Sequence, residues 1–232
     1  MIVSRRKSFV FFAIPKTASS TIRRTLAEFH DAPREFPPHT LPEDFFRETV
    51  NEDYSGLYRF TFVRNPYDRL FAQFLEREKH IKETETYLRN EGDFNRTVRN
   101  ELELLNCPAF TRVWADFGYS PHHQMHYWTH KDNKLIVDFV GYQERFDRDF
   151  SALCERLDLE IEEIKNANIK SEIKPPCDPL NMKLADYKYL HEYEPETLSL
   201  VNERYRKDFE LFGYSMIRPA DLNRLPGDGE RT

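Results

Sequence analysis

Six apolar residues in a row, Phe9-Val10-Phe11-Phe12-Ala13-Ile14, run through Pro15 into a turn, Lys16-Thr17-Ala18-Ser19-Ser20-Thr21, that carries four hydroxyls and one ammonium. A continuous apolar run closed by a proline reads as a strand covered on both faces. That commits the chain to a sheet packed between other elements. Ile22, Leu26 and Phe29 then recur at helical spacing, with Ser19, Ser20 and Thr21 as natural N-caps. A strand, a turn and a helix start in this order expose unpaired N–H groups at the positive end of a helix dipole. A phosphate can sit there against amides, hydroxyls and the Lys16 ammonium, so the implied ligand is a phosphorylated small molecule. The same residues also fit a plain helix cap beside a solvated lysine. An ordinary nucleoside-triphosphate P-loop is disfavoured, because it needs two glycines and a Lys-Ser/Thr pair after the second, and this turn has no glycine.

A second strand-to-helix junction lies at Tyr58-Arg59-Phe60-Thr61-Phe62-Val63-Arg64-Asn65-Pro66-Tyr67-Asp68-Arg69-Leu70. The β-rich run ends in Arg64, and Asn65-Pro66 reads as an N-cap with the first helical residue. Leu70, Phe71, Phe74 and Leu75 supply the apolar face of the helix. Arg64 falls at a strand end, where open α/β sheets bind ligands, and its planar fork suits phosphate. A structural ion pair is the competing reading of a single arginine there.

Together the two junctions resemble one family. Pro15-Lys16-Thr17-Ala18-Ser19-Ser20-Thr21 resembles the 5′-phosphosulfate loop of sulfotransferases that use 3′-phosphoadenosine 5′-phosphosulfate (PAPS), and Val63-Arg64-Asn65-Pro66-Tyr67-Asp68-Arg69-Leu70 resembles their 3′-phosphate motif. The likeness is nearest to the Golgi-type carbohydrate sulfotransferases and their soluble bacterial relatives, supported by residues 137–144 and 208–214, and it spans about Phe9 to Tyr214. It implies an α/β fold of three layers: a mainly parallel central sheet with helices on both faces, P-loop-like as in sulfotransferases and nucleotide kinases. It also implies that PAPS is the co-substrate, that the acceptor is a hydroxyl, with a carbohydrate as best guess, and that no metal takes part. Lys16 would neutralise the bridging oxygen and leaving 5′-phosphate, with the turn's N–H groups and Thr17, Ser20 and Thr21 holding that phosphate. Arg64 would hold the 3′-phosphate. One departure stands out: eight residues after the motif arginine, relatives carry a serine where this chain has Ala72. Gln143 likewise stands where relatives often have an aromatic residue near the adenine.

Sulfuryl transfer also needs a base for the acceptor hydroxyl. Histidine is the residue type suited to this, and His39 lies in the proline-fixed loop Phe36-Pro37-Pro38-His39-Thr40-Leu41-Pro42, where relatives often carry a histidine facing the acceptor. A surface loop histidine is the alternative. His122, His126 and His130 would share one face of a helix at four-residue spacing. Without a nearby Cys pair they read as an acceptor-site wall or a polar packing helix sooner than as a zinc site.

Composition narrows the class. A chain of 232 residues with net charge −6 is long enough for one sizeable core and lacks the basic balance of a general nucleic-acid binder. Its 19 Phe and 12 Tyr point to an aromatic core or acceptor cleft. Ser4-Arg5-Arg6-Lys7 with the apolar run after it mimics a secretory leader, yet the run leads straight into the hydroxyl turn, so cleavage would destroy the site. No stretch is long enough to span a membrane. Cys107, Cys154 and Cys177 are odd in number and widely spaced, as in reduced thiols. These features together predict a cytoplasmic protein.

Further along, residues 76–105 read as an exposed, charged helical insertion, Leu135 to Tyr142 as a buried strand, and Phe146 to Leu157 as a helix. Lys165, Lys170 and Lys174 precede the proline-marked loop 174–179. Pro195 opens a final helix with Leu198, Val201, Tyr205, Phe209 and Phe212 as its core stripe, closed by Gly213. One domain over residues 1–217 and a disordered tail over 218–232 complete the expectation. Two other functions stay open on the residues alone: a nucleotide- or glycan-binding protein of the same fold with weak or no catalysis, and a kinase dependent on ATP and magnesium.

Overall fold

The computed structural model describes residues 1–33, 35–51, 54–81, 92–104, 123–161, 164 and 177–224. The chain forms two compact units, each drawn from two stretches: Met1–Arg64 with Met125–Pro176, and Asn65–Gln124 with Cys177–Thr232.

The first unit is α/β. Strands β1 (Ile2–Ser4), β2 (Phe9–Phe11), β3 (Tyr58–Val63) and β6 (Phe139–Tyr142) form one sheet in the order β1-β2-β3-β6, while β4 (His130–Lys131) and β5 (Lys134–Leu135) form a separate hairpin. β2, β3 and β6 run parallel, and β1 returns antiparallel along the edge of β2. The sheet is therefore mixed. Because β2, β3 and β6 are parallel, the residues just beyond them, Pro15, Arg64 and Gln143 among them, emerge at the same carboxyl edge.

Alternation along the strands divides the aromatic residues between two faces. Phe9, Phe11, Phe60 and Phe62 share a core with Ile22 and Leu26, from helix α1 (Ser19–Thr25) and its C-cap, and with Phe150 and Leu153 of a second helix in the same layer. Phe12 points the other way, edge-on to Phe45 at 5.8 Å, in helix α2 (Pro42–Glu48). Each buried Phe contributes roughly 1.5–3 kcal/mol, and among the described residues most of the phenylalanines are core. On the Phe12 face the buried Thr61 hydroxyl donates to the Phe12 carbonyl at 2.6 Å, which satisfies a polar group inside the layer.

Leu135 to Tyr142 is not one buried strand. Leu135 belongs to the exposed hairpin, and only Phe139–Tyr142 pairs with β3. Asp138 accounts for the break. Its N–H donates to the Arg59 carbonyl at 2.7 Å and its carboxylate accepts the Arg59 N–H at 2.8 Å, so the chain is caught at the start of β3 before it enters the sheet.

The second unit is helical among the described residues: α3 (Pro66–Ile81), α4 (Phe94–Leu104), α6 (Pro195–Arg204) and α7 (Arg206–Phe212), with α5 (Phe146–Arg156) being the layer helix of the first unit. Asn65 caps α3 as its sequence predicts, its Oδ1 accepting the Asp68 N–H at 2.8 Å. Leu70, Phe71 and Phe74 are buried. The stretch read as an exposed insertion has a buried face where it is described: Asp93, Arg96 and Asn100 are exposed, but Phe94 and Val98 are core and Phe94 packs against Phe71 at 4.7 Å and Tyr193 at 4.9 Å. Its apolar pattern is weak because buried positions hold polar residues with partners. Asn95 gives its amide to the Glu192 carbonyl and accepts the Glu194 N–H, each at 2.9 Å.

The last stripe of five residues is buried throughout, but the helix breaks at Tyr205 (φ −102°, ψ 12°) into α6 and α7. Gly213, in the left-handed region at φ 71°, ends α7, and the Tyr214 N–H folds back to the Phe209 carbonyl at 3.0 Å. Residues 219–224 form a 3₁₀ helix and residues 225–232 lie outside those described. No helix among the described residues is long and apolar enough to cross a membrane.

Candidate functional site

At the carboxyl edge of the sheet in the first unit, the turn after β2 has an unusual backbone. Lys16 (φ 66°) and Ala18 (φ 62°) are both left-handed, and Thr17 between them is not. Positive φ at alternate residues just ahead of a helix is a feature of turns whose successive N–H groups can form an anion-binding concavity. Alanine and lysine hold positions that usually go to glycine, at a cost of about 1–2 kcal/mol per residue. Backbone strain of this kind gathers at functional sites.

The turn is pinned from inside. Thr17 is fully buried, and its hydroxyl donates to the Ile14 carbonyl at 3.0 Å. Ser19, Ser20 and Thr21 do not cap α1. The N-cap is Ala18, with no side-chain cap, and the three hydroxyl residues lie within the helix, with Ser20 exposed. The difference comes from the left-handed turn, which starts the helix directly behind Ala18, whose carbonyl takes the Ile22 N–H at 3.1 Å.

Arg64, at the end of β3, reaches this turn: its Nη1 donates to the Lys16 carbonyl at 3.4 Å. His39 reaches the same edge from its proline loop. Its Nδ1 lies 2.7 Å from the Ala13 carbonyl oxygen. A carbonyl only accepts, so Nδ1 carries the hydrogen, and in the neutral ring the lone pair is on Nε2. Arg64 is thus tied to the turn at Lys16, and His39 to Ala13 just ahead of it, so three residues far apart in sequence meet at the end of one strand. Pro15 is buried beside Ile14 at its start.

The family comparison covers the same span. The family model described as the sulfotransferase family matches residues 1–215. The chain belongs to the sulfotransferase family. No curated protein and no solved structure matches it.

Membership makes this chain a transferase of the sulfotransferase family, with the strand-end turn at the edge where α/β folds carry their ligands. Other residues singled out from sequence fall elsewhere. His126 is in the 3₁₀ turn Met125–Trp128 and His130 is in β4, so the two do not share a helical face, and His122 lies outside the described residues. Among the described residues no group of three or more His, Cys, Asp or Glu is placed to hold a metal ion. Ala72 is half-buried on α3 and Gln143 half-buried in the 3₁₀ turn Gln143–Arg145. Cys154 and Cys177 are both half-buried, while Cys107, Lys165, Lys170 and Lys174 lie outside the described residues.

Two residues of this edge carried no sequence signal. Met125 accepts the Arg64 N–H on its sulfur at 3.5 Å, and the Trp128 indole N–H donates to the His39 carbonyl at 3.3 Å. Both bonds join a side chain to a backbone group, which any residue type can supply. No pattern of residue types could therefore point to them.

Proposed function

We propose that the protein transfers the sulfuryl group of PAPS to a hydroxyl acceptor of the carbohydrate class. The single domain behind this reading, residues 1–217, is of the three-layer, P-loop-like kind, and the protein acts in the cytoplasm without a metal. The observation that supports the reading is that Arg64 bonds to the Lys16 turn, with its alternating positive φ, while His39 bonds to Ala13 at the end of the strand that leads into it.

In this mechanism His39 Nε2 takes the proton of the acceptor hydroxyl while Nδ1–H stays on the Ala13 carbonyl, which orients the ring. The acceptor oxygen bonds to sulfur as the bond from sulfur to the 5′-phosphate oxygen breaks. The products are a sulfate ester and 3′-phosphoadenosine 5′-phosphate. Lys16 balances the charge that grows on the departing phosphate, and positioning with electrostatics supplies most of the rate. The N–H groups of Lys16, Thr17, Ala18 and Ser19 hold the 5′-phosphate, helped by the hydroxyls of Ser20 and Thr21. Thr17 acts through its backbone, since its hydroxyl is committed to Ile14. Arg64 holds the 3′-phosphate from the same edge.

Calorimetry with 3′-phosphoadenosine 5′-phosphate, followed by a mass-spectrometric screen of PAPS with a panel of glycosides, tests the proposal. Nucleotide binding with a sulfate-mass product is the expected result. Binding without turnover on any acceptor would favour a binding protein, and ATP binding in place of the adenosine bisphosphate would favour a kinase. His39→Ala is expected to lower turnover by about 10²–10⁴-fold with nucleotide affinity retained. Turnover near that of the parent protein would remove His39 as the base.

A further inference from the structure

We infer that the 3₁₀ turn Met125–Trp128 is a positioning device for the site, with Trp128 as the residue that fixes His39; the inference rests on His39 being the base, as proposed above. Two side chains of this single turn reach two different site residues. The Trp128 indole N–H bonds to the His39 carbonyl at 3.3 Å, and the Met125 sulfur takes the Arg64 N–H at 3.5 Å. Both side chains are fully buried.

His39 needs such a hold because it comes from a loop with no ladder of its own. The ties there are the Thr40 N–H and hydroxyl on the Pro37 carbonyl, at 3.2 and 2.8 Å, and the N-terminal ammonium of Met1 on the Pro38 carbonyl, none of which touches His39 itself. The ring is tied at Nδ1 to Ala13. A side chain keeps its place only as well as the backbone it hangs from. The Trp128 bond acts on that backbone directly, since it grips the carbonyl of His39 itself.

The grip has a firm base. The Thr129 N–H donates to the His126 carbonyl at 3.1 Å, closing the turn, and the Ile136 N–H donates to the Thr129 carbonyl at 2.8 Å, joining the turn to the β4–β5 hairpin. The chain thus passes from the Arg64 contact through the turn and past the His39 contact into a hairpin. A displacement of about 1 Å at a reacting group can cost about a hundredfold in rate, so a turn that sets the places of base and arginine together bears directly on turnover.

Trp128→Phe keeps an aromatic ring and removes the N–H. Nitrogen-15 NMR of the histidine side chains reads the result without any acceptor. In the parent protein His39 is expected as the Nδ1–H tautomer; in W128F that signal should broaden or give way to a mixture of tautomers. Affinity for 3′-phosphoadenosine 5′-phosphate should stay within about threefold while PAPS turnover on the glycoside panel falls about tenfold. In a His39→Ala background the same substitution should change turnover less than about twofold, because the two residues act through one group.

An unchanged His39 spectrum in W128F, or an equal loss of turnover with His39 absent, overturns the inference. Failure of the base reading looks different: H39A would keep its turnover, while the tautomer comparison in W128F would still decide whether Trp128 holds the ring. Should W128F fail to fold, a tryptophan analogue with sulfur in place of the indole N–H keeps the shape and repeats the comparison.

Discussion

Gly141 lies directly under the ring of Phe62: a Cβ there would stand 2.4 Å from Cε1, closer than any side-chain contact allows. The two residues are register partners across β3 and β6. Phe62 is fully buried with Phe139, Phe146 and Phe150 around it, so its ring has no room to retreat. Gly141→Ala should destabilise the protein by about 1–3 kcal/mol through overpacking. Urea unfolding gives the number, and a midpoint equal to that of the parent would show that the ring yields without cost.

The left-handed Ala18 gives a prediction of the opposite sign. Ala18→Gly removes the Cβ clash at φ 62°, and the gain should outweigh the added freedom of the unfolded chain by about 0.5–1 kcal/mol. For a chain of this size that corresponds to a rise of about 1–4 °C in Tm. A lower Tm by scanning calorimetry would mean that the turn relaxes away from this conformation.

Asp68 is buried on α3, and its carboxylate accepts the N–H groups of Lys188 at 2.9 Å and Tyr189 at 2.8 Å, together with the Asn65 amide at 3.1 Å. Asp68→Ala leaves those donors without their acceptor and should cost about 3 kcal/mol. Asp68→Asn, which keeps an acceptor oxygen, should cost less. Equal losses in the two variants would assign the effect to charge alone.

Asp31 ties down the turn between β1 and β2, accepting the N–H groups of Arg5 at 2.6 Å and Arg6 at 3.0 Å. Partial burial works to raise its pKa, but the backbone hydrogen bonds of Arg5 and Arg6, with the Arg6 charge and the Ser4 hydroxyl, hold it below the usual carboxylate value. A depressed folded pKa means stability that is present above the unfolded value, about 3.9, and is lost as pH falls through the folded value. Asp31→Asn should therefore lower stability by about 1 kcal/mol at pH 7, and the gap from the parent should close below about pH 4. A gap that stays constant down to pH 2.5 in denaturant titrations would rule this out.

Burial pushes the Cys154 thiol up from 9.0 to about 11. Its thiolate fraction near neutral pH is then about a hundredfold below that of an unperturbed thiol. Iodoacetamide at pH 7.5 should label it far more slowly than a reference peptide cysteine, as followed by peptide mass spectrometry. Labelling at the peptide's rate would contradict the burial.

Much of the first unit was legible because its signals are local. The run Phe9 to Ile14 ending at Pro15, and the run Tyr58 to Val63 ending at Asn65-Pro66, mark strands by their residue types. Lys16 and Arg64, just past the ends of these two runs, meet at one edge because parallel strands end together. The capping of α1 was misread because the turn is held by left-handed Lys16 and Ala18, whose residue types do not announce that conformation. In α4, Asn95, Thr97 and Glu101 hide a buried face behind polar residues. Trp128 and Met125 leave no signature in the sequence because each binds a backbone group.

The parallel pairing of β3 with β6 also sets a schedule for synthesis. Arg59 and Asp138, bonded at the entrance to that ladder, are 79 residues apart in the chain. A ribosome adding about 5–20 residues per second needs roughly 4–16 s to deliver the second after the first. For that interval one edge of β3 waits, apolar and unpaired, while the first stretch of the other unit, Asn65–Gln124, is being made. An edge left open for that interval is the kind of transient surface that chaperones cover.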